Sequence, residues 1–435
     1  MKRNKIISAA LLLLSAVSLS AQSELSLDQC IAMARQNNRT LRNAALDILS
    51  AKEQQQEAYT KYFPQVKANV TAFRAFDKMV KGDLTALMRQ PLTLEELDRG
   101  YGATVSITEP LYAGGQITAA NKLSDLMADI NALQHSLTEK DVVQKVTENY
   151  WQIAQIKYNL RTIEAAERQM DAVCQDVNNF VTAGVTTRNA LLKVKMRQKE
   201  LESNRLKLEN ADHVLRMLLA QQIGAQGTID IALPASHDAV QPRHADTADA
   251  VQGREELSLA QKNVEAHRLQ VKMERAKLLP TLAVGVTGYH TGLGGLSDLA
   301  KSSIESTTTN AVALATLSIP LSDWWGGTHA VRRAKNRATQ ALGDYLDAQE
   351  KLAIDIESSW SNLAEAYQQI DLARAMGDEA AENLRMSLAH YKAGTETLSD
   401  LLDAETLNRQ AQDSLAAAIA TYHIRLADYQ RKTGK

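Results

Sequence analysis

Apolar positions along this chain follow two alternating periods, and the changes from one to the other fall at prolines. From Ser26 to Tyr62, Leu27, Ile31, Ala34, Leu41, Ala45, Ile48 and Leu49 recur at helical spacing, which lines them up on one face of a helix. That pattern stops at Phe63-Pro64. Val66, Ala68, Val70 and Ala72 then alternate with Lys67, Asn69 and Thr71, a period of two that predicts a strand over about 64–75. A polar stretch from Asp77 to Arg99 reads as a loop. Alternation returns at Tyr101, Ala103, Val105 and Ile107, predicting a second strand over about 101–110 that ends at Glu109-Pro110.

The segment from Gln116 to Ala183 has 68 residues without Gly or Pro, enough for about 100 Å of helix. Gly184 breaks it, and the pattern returns through Leu191, Leu201, Leu208 and Leu218 to Ile223. Residues 224–253, with Pro234 and Pro242, read as a linker, and the whole order then recurs. A helix leads from Glu255 to Leu279-Pro280, and a third strand covers about 281–290. A Gly/Ser/Thr loop follows from Thr291 to Thr309, then a fourth strand over about 310–320. Helix is expected over 328–393, and after a turn at Gly394 the chain returns to Gln430. Ala183-Gly184 and Ala393-Gly394 lie 210 positions apart, as do Leu191-Leu192 and Leu401-Leu402, while Gly326-Gly327 mirrors Gly114-Gly115. The chain therefore divides into two repeats, 22–223 and 254–435, and each long helix equals two short ones in length. None of the seven prolines falls inside an expected helix, as the cost of an internal proline requires.

Composition adds limits. Lys2, Arg3 and Lys5 precede an uncharged run from Ile6 to Gln22, so residues 1–21 read as a secretory signal peptide. Without those three charges the net charge would go from −2 to −5, which gives a nucleic-acid partner no support. Cys30 and Cys174 are the only cysteines and make no disulfide framework. The nine His show no HExxH or paired spacing, and no nucleophile elbow appears, so no catalysis, metal or cofactor is expected.

Strands of about ten alternating residues suit a tilted membrane-spanning sheet. Four cannot close a barrel, and open edges are not tolerated in lipid, so a membranous sheet here demands an oligomer. Phe63, Tyr112, Trp324 and Trp325 lie near the strand ends, where an aromatic girdle is expected. The Arg39–Pro64 and Arg254–Pro280 segments, Glu-Pro-Leu-Tyr-Ala-Gly-Gly at 109–115, and Tyr-x-Ala-Gly-Thr-x-Thr-Leu-x-Asp-Leu-Leu-Asp-Ala at 391–404 carry a resemblance. They resemble the TolC-like outer membrane efflux protein family over essentially the whole mature chain.

That resemblance implies a mainly α fold in which repeated helical hairpins form an α-barrel. Four strands per protomer would contribute to a trimeric, twelve-stranded β-barrel in the outer membrane of a Gram-negative bacterium. It implies a homotrimeric export duct that works with a periplasmic membrane fusion (adaptor) protein and an inner-membrane transporter. Gly184, Val185, Leu191, Gly394, Thr395 and Leu401 would form the adaptor-docking tips. Asp400 and Asp403 match the paired aspartates of the periplasmic entrance, and being three apart they share a helix face. Tyr391 matches a contact that holds the tips closed. Glu396 and Asn189-Ala190 depart from the family pattern, so the latch would use other bonds. The competing reading is a periplasmic coiled-coil adaptor or structural protein of the envelope, which would need one hairpin and compact β-rich domains.

Overall fold

The structure is a computed structural model that describes residues 24–76, 96–233, 239–297 and 302–434. The expected signal segment and most of the first expected loop lie outside the described residues. The chain forms two compact units, and each draws on both sequence repeats.

The first unit takes residues up to 47, 133–259 and 346 onward. Helix α1 (Leu27–Asn37) starts at a capping box, in which the Ser26 hydroxyl accepts from the Gln29 amide and Gln29 Oε1 accepts from the Ser26 amide. One helix through Tyr62 was expected, but Asn38 ends α1 and begins α2 (Arg39–Thr60). Its Oδ1 accepts from the Thr40 and Leu41 amides at 2.8 and 3.2 Å, while Nδ2 donates to the Gln222 carbonyl. Asparagine is among the best residues for that position, and with no Gly or Pro beside it the periodicity runs through the break.

Helices α3 (Gln116–Thr182) and α4 (Arg188–Ile223) form the first hairpin. The expected linker is a packed strap. Ile231 is fully buried and bridges Leu25 in parallel fashion, Tyr150 Oη donates to the Ala232 carbonyl, and Lys157 Nζ donates to that of Ile231. Asp230 meets Lys157 at 2.6 Å and Arg216 at 2.7 Å. Burial alone would raise its carboxyl pKa, but Lys157, Arg216 and the Ile231 amide together hold it below the ordinary value. The short helix α5 (Thr247–Gln252), capped by Asp246, completes the strap. Tyr422 and Tyr429 secure it through Val240 and Ala245.

The second unit takes residues 48–132 and 260–345. Its sheet holds β1 (Gln65–Arg74), β2 (Glu96–Ala113), β3 (Thr281–Ser297) and β4 (Ser302–Ser318) in that order, all antiparallel. The strands of the two repeats meet at β2–β3, and among the described residues β1 and β4 are unpaired edges. Two expectations fail here. The Gly/Ser/Thr loop from Thr291 to Thr309 is mostly strand, and β2 runs through Pro110 to Ala113 with a register shift between Pro110 and Tyr112. Glycine explains the first. A Cβ on Gly292 would collide with the Tyr101 ring, and one on Gly100 would lie 2.6 Å from the Phe73 ring. Glycine thus stands where an apolar residue would have kept the alternation readable. Proline survives in β2 because the shift beside it removes the need for its missing amide.

One sheet face is apolar across all four strands. Val66, Ile107, Val286 and Ala313 make one cross-strand row, and Ala68, Val105, Gly288 and Ala311 the next. Val66 is 65% and Val70 80% exposed, so none of the described residues covers this face. Below the sheet, α6 (Glu255–Ala276) ends and α7 (Asp323–Lys392) begins. The glycine pairs differ there. Gly114 and Gly115 precede α3 with φ of 61° and 81°, whereas Gly326 and Gly327 lie inside the first turns of α7. A Cβ on Gly327 would lie 2.2 Å from the Leu278 side chain, which would have to shift. Helix α8 (Leu398–Thr433) closes the second hairpin. Among the described residues no helix is long and apolar enough to cross a membrane.

Candidate functional site

The two hairpin tips are built by the same bonds. At the first, Gly184 has φ 72°, its amide donates to Val181, and the Val185 amide donates to Phe180 at 2.8 Å. At the second, Gly394 has φ 75°, its amide donates to Tyr391, and the Thr395 amide donates to His390 at 3.0 Å. Each is a helix end closed by a left-handed glycine. The returning helices start at Thr187 and Thr397, whose hydroxyls accept from the Ala190 and Asp400 amides. The 210-residue repeat is thus visible bond for bond.

The acidic residues mark where the tips diverge. Asp400 Oδ2 accepts from the Thr397 amide at 3.2 Å and from its hydroxyl at 2.6 Å, closing a capping box at the start of α8. Asp400 is therefore a cap as well as a charge, and its acid suits the positive end of the helix dipole. Asp403 is exposed one turn on and has no ion-pair partner among the described residues. In the first repeat these positions hold Ala190 and Lys193, and Lys193 Nζ reaches Ser399 Oγ on α8 at 3.5 Å.

Of the six expected docking residues, Gly184, Val185, Gly394 and Thr395 are exposed, Val185 by 73%. Leu191 is half-buried and Leu401 wholly buried. Leu401 packs with Val194, Leu201, Met170, Val177 and Leu384, so it holds the four helix ends together rather than offering surface. Tyr391 lies against the same cluster. Burial, with the Asp176 charge adding to it, raises its phenol pKa. Glu396 accepts from the Ser387 hydroxyl at 2.6 Å, a bond within the second hairpin.

An ion pair beneath that cluster was not among the expected site contacts. Arg197 Nε and Nη2 both donate to Glu405 Oε2, at 2.9 and 2.6 Å, Nη2 also reaches Thr406 Oγ1, and Nη1 reaches Glu200. Arg197 is 9% and Glu405 2% exposed, while Glu405 Oε1 is buried with no hydrogen-bond partner. Burial would lower the Arg197 pKa, but the two carboxylates outweigh it and raise it. The pair joins α4 of one hairpin to α8 of the other. Its signal in the sequence is a charge in phase with the apolar residues: 194, 197 and 201 share a face, and so do 401 and 405.

The chain matches the model of the family described as outer membrane efflux protein over residues 30–221 and 248–434. It is 23% identical over 405 residues to the pyoverdine export outer membrane protein OpmQ of Pseudomonas putida, covering 90% of this chain and 82% of that one. Over 426 residues it is 22% identical to the outer membrane protein TolC of Salmonella enteritidis, covering 94% and 82%. In fold it is similar to the Campylobacter jejuni CmeC outer membrane channel, with a TM-score of 0.78, 13% identity, and coverage of 97% and 91%. Two helical hairpins, a four-stranded sheet with one apolar face, and a family match spanning both repeats place this chain in the outer membrane efflux protein family.

Proposed function

We propose that three copies of this chain close one twelve-stranded barrel in the outer membrane. Their helical hairpins form the tunnel of an export duct, which a periplasmic adaptor joins to an inner-membrane transporter. The observation that carries this reading is the sheet. Among the described residues its apolar face is bare and β1 and β4 leave two edges unpaired, a state lipid does not tolerate unless the edges close on other copies.

At the tips, Asp400 and Asp403 form the entrance ring, six carboxylates in a trimer, which favours cations at the constriction. The adaptor meets the exposed turns at Gly184, Val185, Gly394 and Thr395, while Leu191 and Leu401 keep those turns in place. Tyr391 and the Ser387–Glu396 bond hold the second tip in its closed form.

The test is the mass of the detergent-extracted particle together with conductance in planar bilayers. A trimer whose cation selectivity falls in Asp403→Asn fits the proposal. A monomer, or a channel whose selectivity ignores both Asp400→Asn and Asp403→Asn, refutes it.

A further inference from the structure

Just below the sheet the helices carry cations without matching acids. Arg268, Lys272 and Arg275 form a stripe at i, i+4 and i+7 on one exposed face of α6, and Arg332 and Arg333 are exposed near the start of α7. None of the five has an ion-pair partner among the described residues. The beginning of α7 comes close to the segment just after α6, at Gly327 and Leu278. Glu265 lies one turn before Arg268 and does not pair with it. Like charges four apart weaken a helix, and no acid offsets these, whereas farther along α7 Lys351 pairs with Asp347 and Arg385 with Glu382.

Position suggests the occupant. Arg275 lies six residues before β3 begins at Thr281, and Arg268 lies roughly 12 Å of helix before the end of α6. A headgroup layer is about 5–8 Å thick, and charge acts over about 8 Å beyond it at physiological salt. Building on the barrel reading above, we propose that this stripe binds anionic phospholipid headgroups of the leaflet at the foot of the sheet. The three cations of α6 cover about 10 Å of helix beside the point where the chain enters the sheet, within the combined reach of a layer of phosphates and its field.

The test uses the full-length protein reconstituted in phosphatidylcholine vesicles with and without phosphatidylglycerol. Native mass spectrometry then counts the lipids retained after detergent extraction. The parent should retain phosphatidylglycerol over phosphatidylcholine, and less of it as salt rises. Arg268→Gln with Lys272→Gln and Arg275→Gln should weaken that retention about tenfold or more, with the helical circular dichroism unchanged, while Arg268→Lys with Arg275→Lys should keep it. Equal retention by the Gln variant overturns the proposal. So does displacement of the lipid by millimolar inorganic phosphate, which assigns a small-anion site, or a change in channel ion selectivity with lipid retention intact, which turns the stripe to the lumen. Failure to insert into either vesicle overturns the barrel reading along with it.

Discussion

Removing Arg197 is the sharpest perturbation of the tips. Arg197→Ala would leave the Glu405 carboxylate 2% exposed, with Oε1 unpartnered as before and Oε2 stripped of both its donors. Breaking a buried pair from one side costs about 3–5 kcal/mol, a large part of a typical domain stability of about 5–15 kcal/mol. The pair itself is less favourable than that figure suggests. Both Arg197 bonds converge on one oxygen, so the parallel two-oxygen geometry that makes such pairs strong is not formed. Arg197→Met with Glu405→Leu should therefore be neutral or stabilise by about 1–4 kcal/mol, less about 1 kcal/mol for the lost Thr406 bond. Hydrogen exchange of α4 and α8 amides in the detergent-extracted protein, with thermal unfolding alongside, reads both variants. The expected order is single variant far below parent, and double variant at or near it. A single variant within about 1 kcal/mol of the parent, or a double variant as poor as the single, would refute the reasoning.

Further expectations concern the turns, the strap and the sheet. Gly184→Ala and Gly394→Ala should each cost about 1–2 kcal/mol of local tip stability. Nothing lies within 4 Å of either added Cβ, so the cost is backbone alone; exchange rates of the turn amides check it, and Asn at the same site should recover part. Because Asp230 has its pKa lowered on folding, it stabilises the protein above its ordinary value of 3.8, and that contribution disappears as pH falls through the lowered value. Acid should thus release the 229–233 segment, and Asp230→Asn should flatten the acid limb of the unfolding profile. Gly292→Val should lower the heat stability of the particle by driving a side chain into the Tyr101 ring, and Tyr101→Ala added to it should restore much of the loss, read as the temperature of band shift on gels.

How much of this was legible in the sequence depended on which residue carried each signal. The hairpins were readable because long Gly- and Pro-free periodic runs end at glycines that need positive φ. The sheet was legible only over its Val- and Ala-rich half. Toward Thr291 and Thr309 the apolar positions become Gly and Thr, and strand gave way to an expected loop. Asn38 was missed because a side chain that caps a helix leaves hydrophobic phase intact. The strap at 224–253 was missed because its hold comes from single long-range bonds, such as Lys157 to Ile231, which no periodicity records.

The repeat itself shows why Asp400 and Asp403 need separate treatment. Both tips fold by the same backbone bonds, yet the first begins its returning helix with Ala190 where the second has Asp400. The turn therefore forms without an acid at that position, and the cap at Asp400 adds to a structure that Thr397 already starts. Replacing Asp400 by Asn keeps a side chain that can accept from the Thr397 amide and removes the charge. Replacing it by Ala recreates the first tip, losing both. If the acid at 400 is retained for the pore, Asp400→Asn and Asp400→Ala should alter bilayer selectivity alike while only the second loosens the start of α8, by about 1 kcal/mol. Selectivity that tracks helix fraying instead of charge would make Asp400 a cap alone and leave the entrance to Asp403.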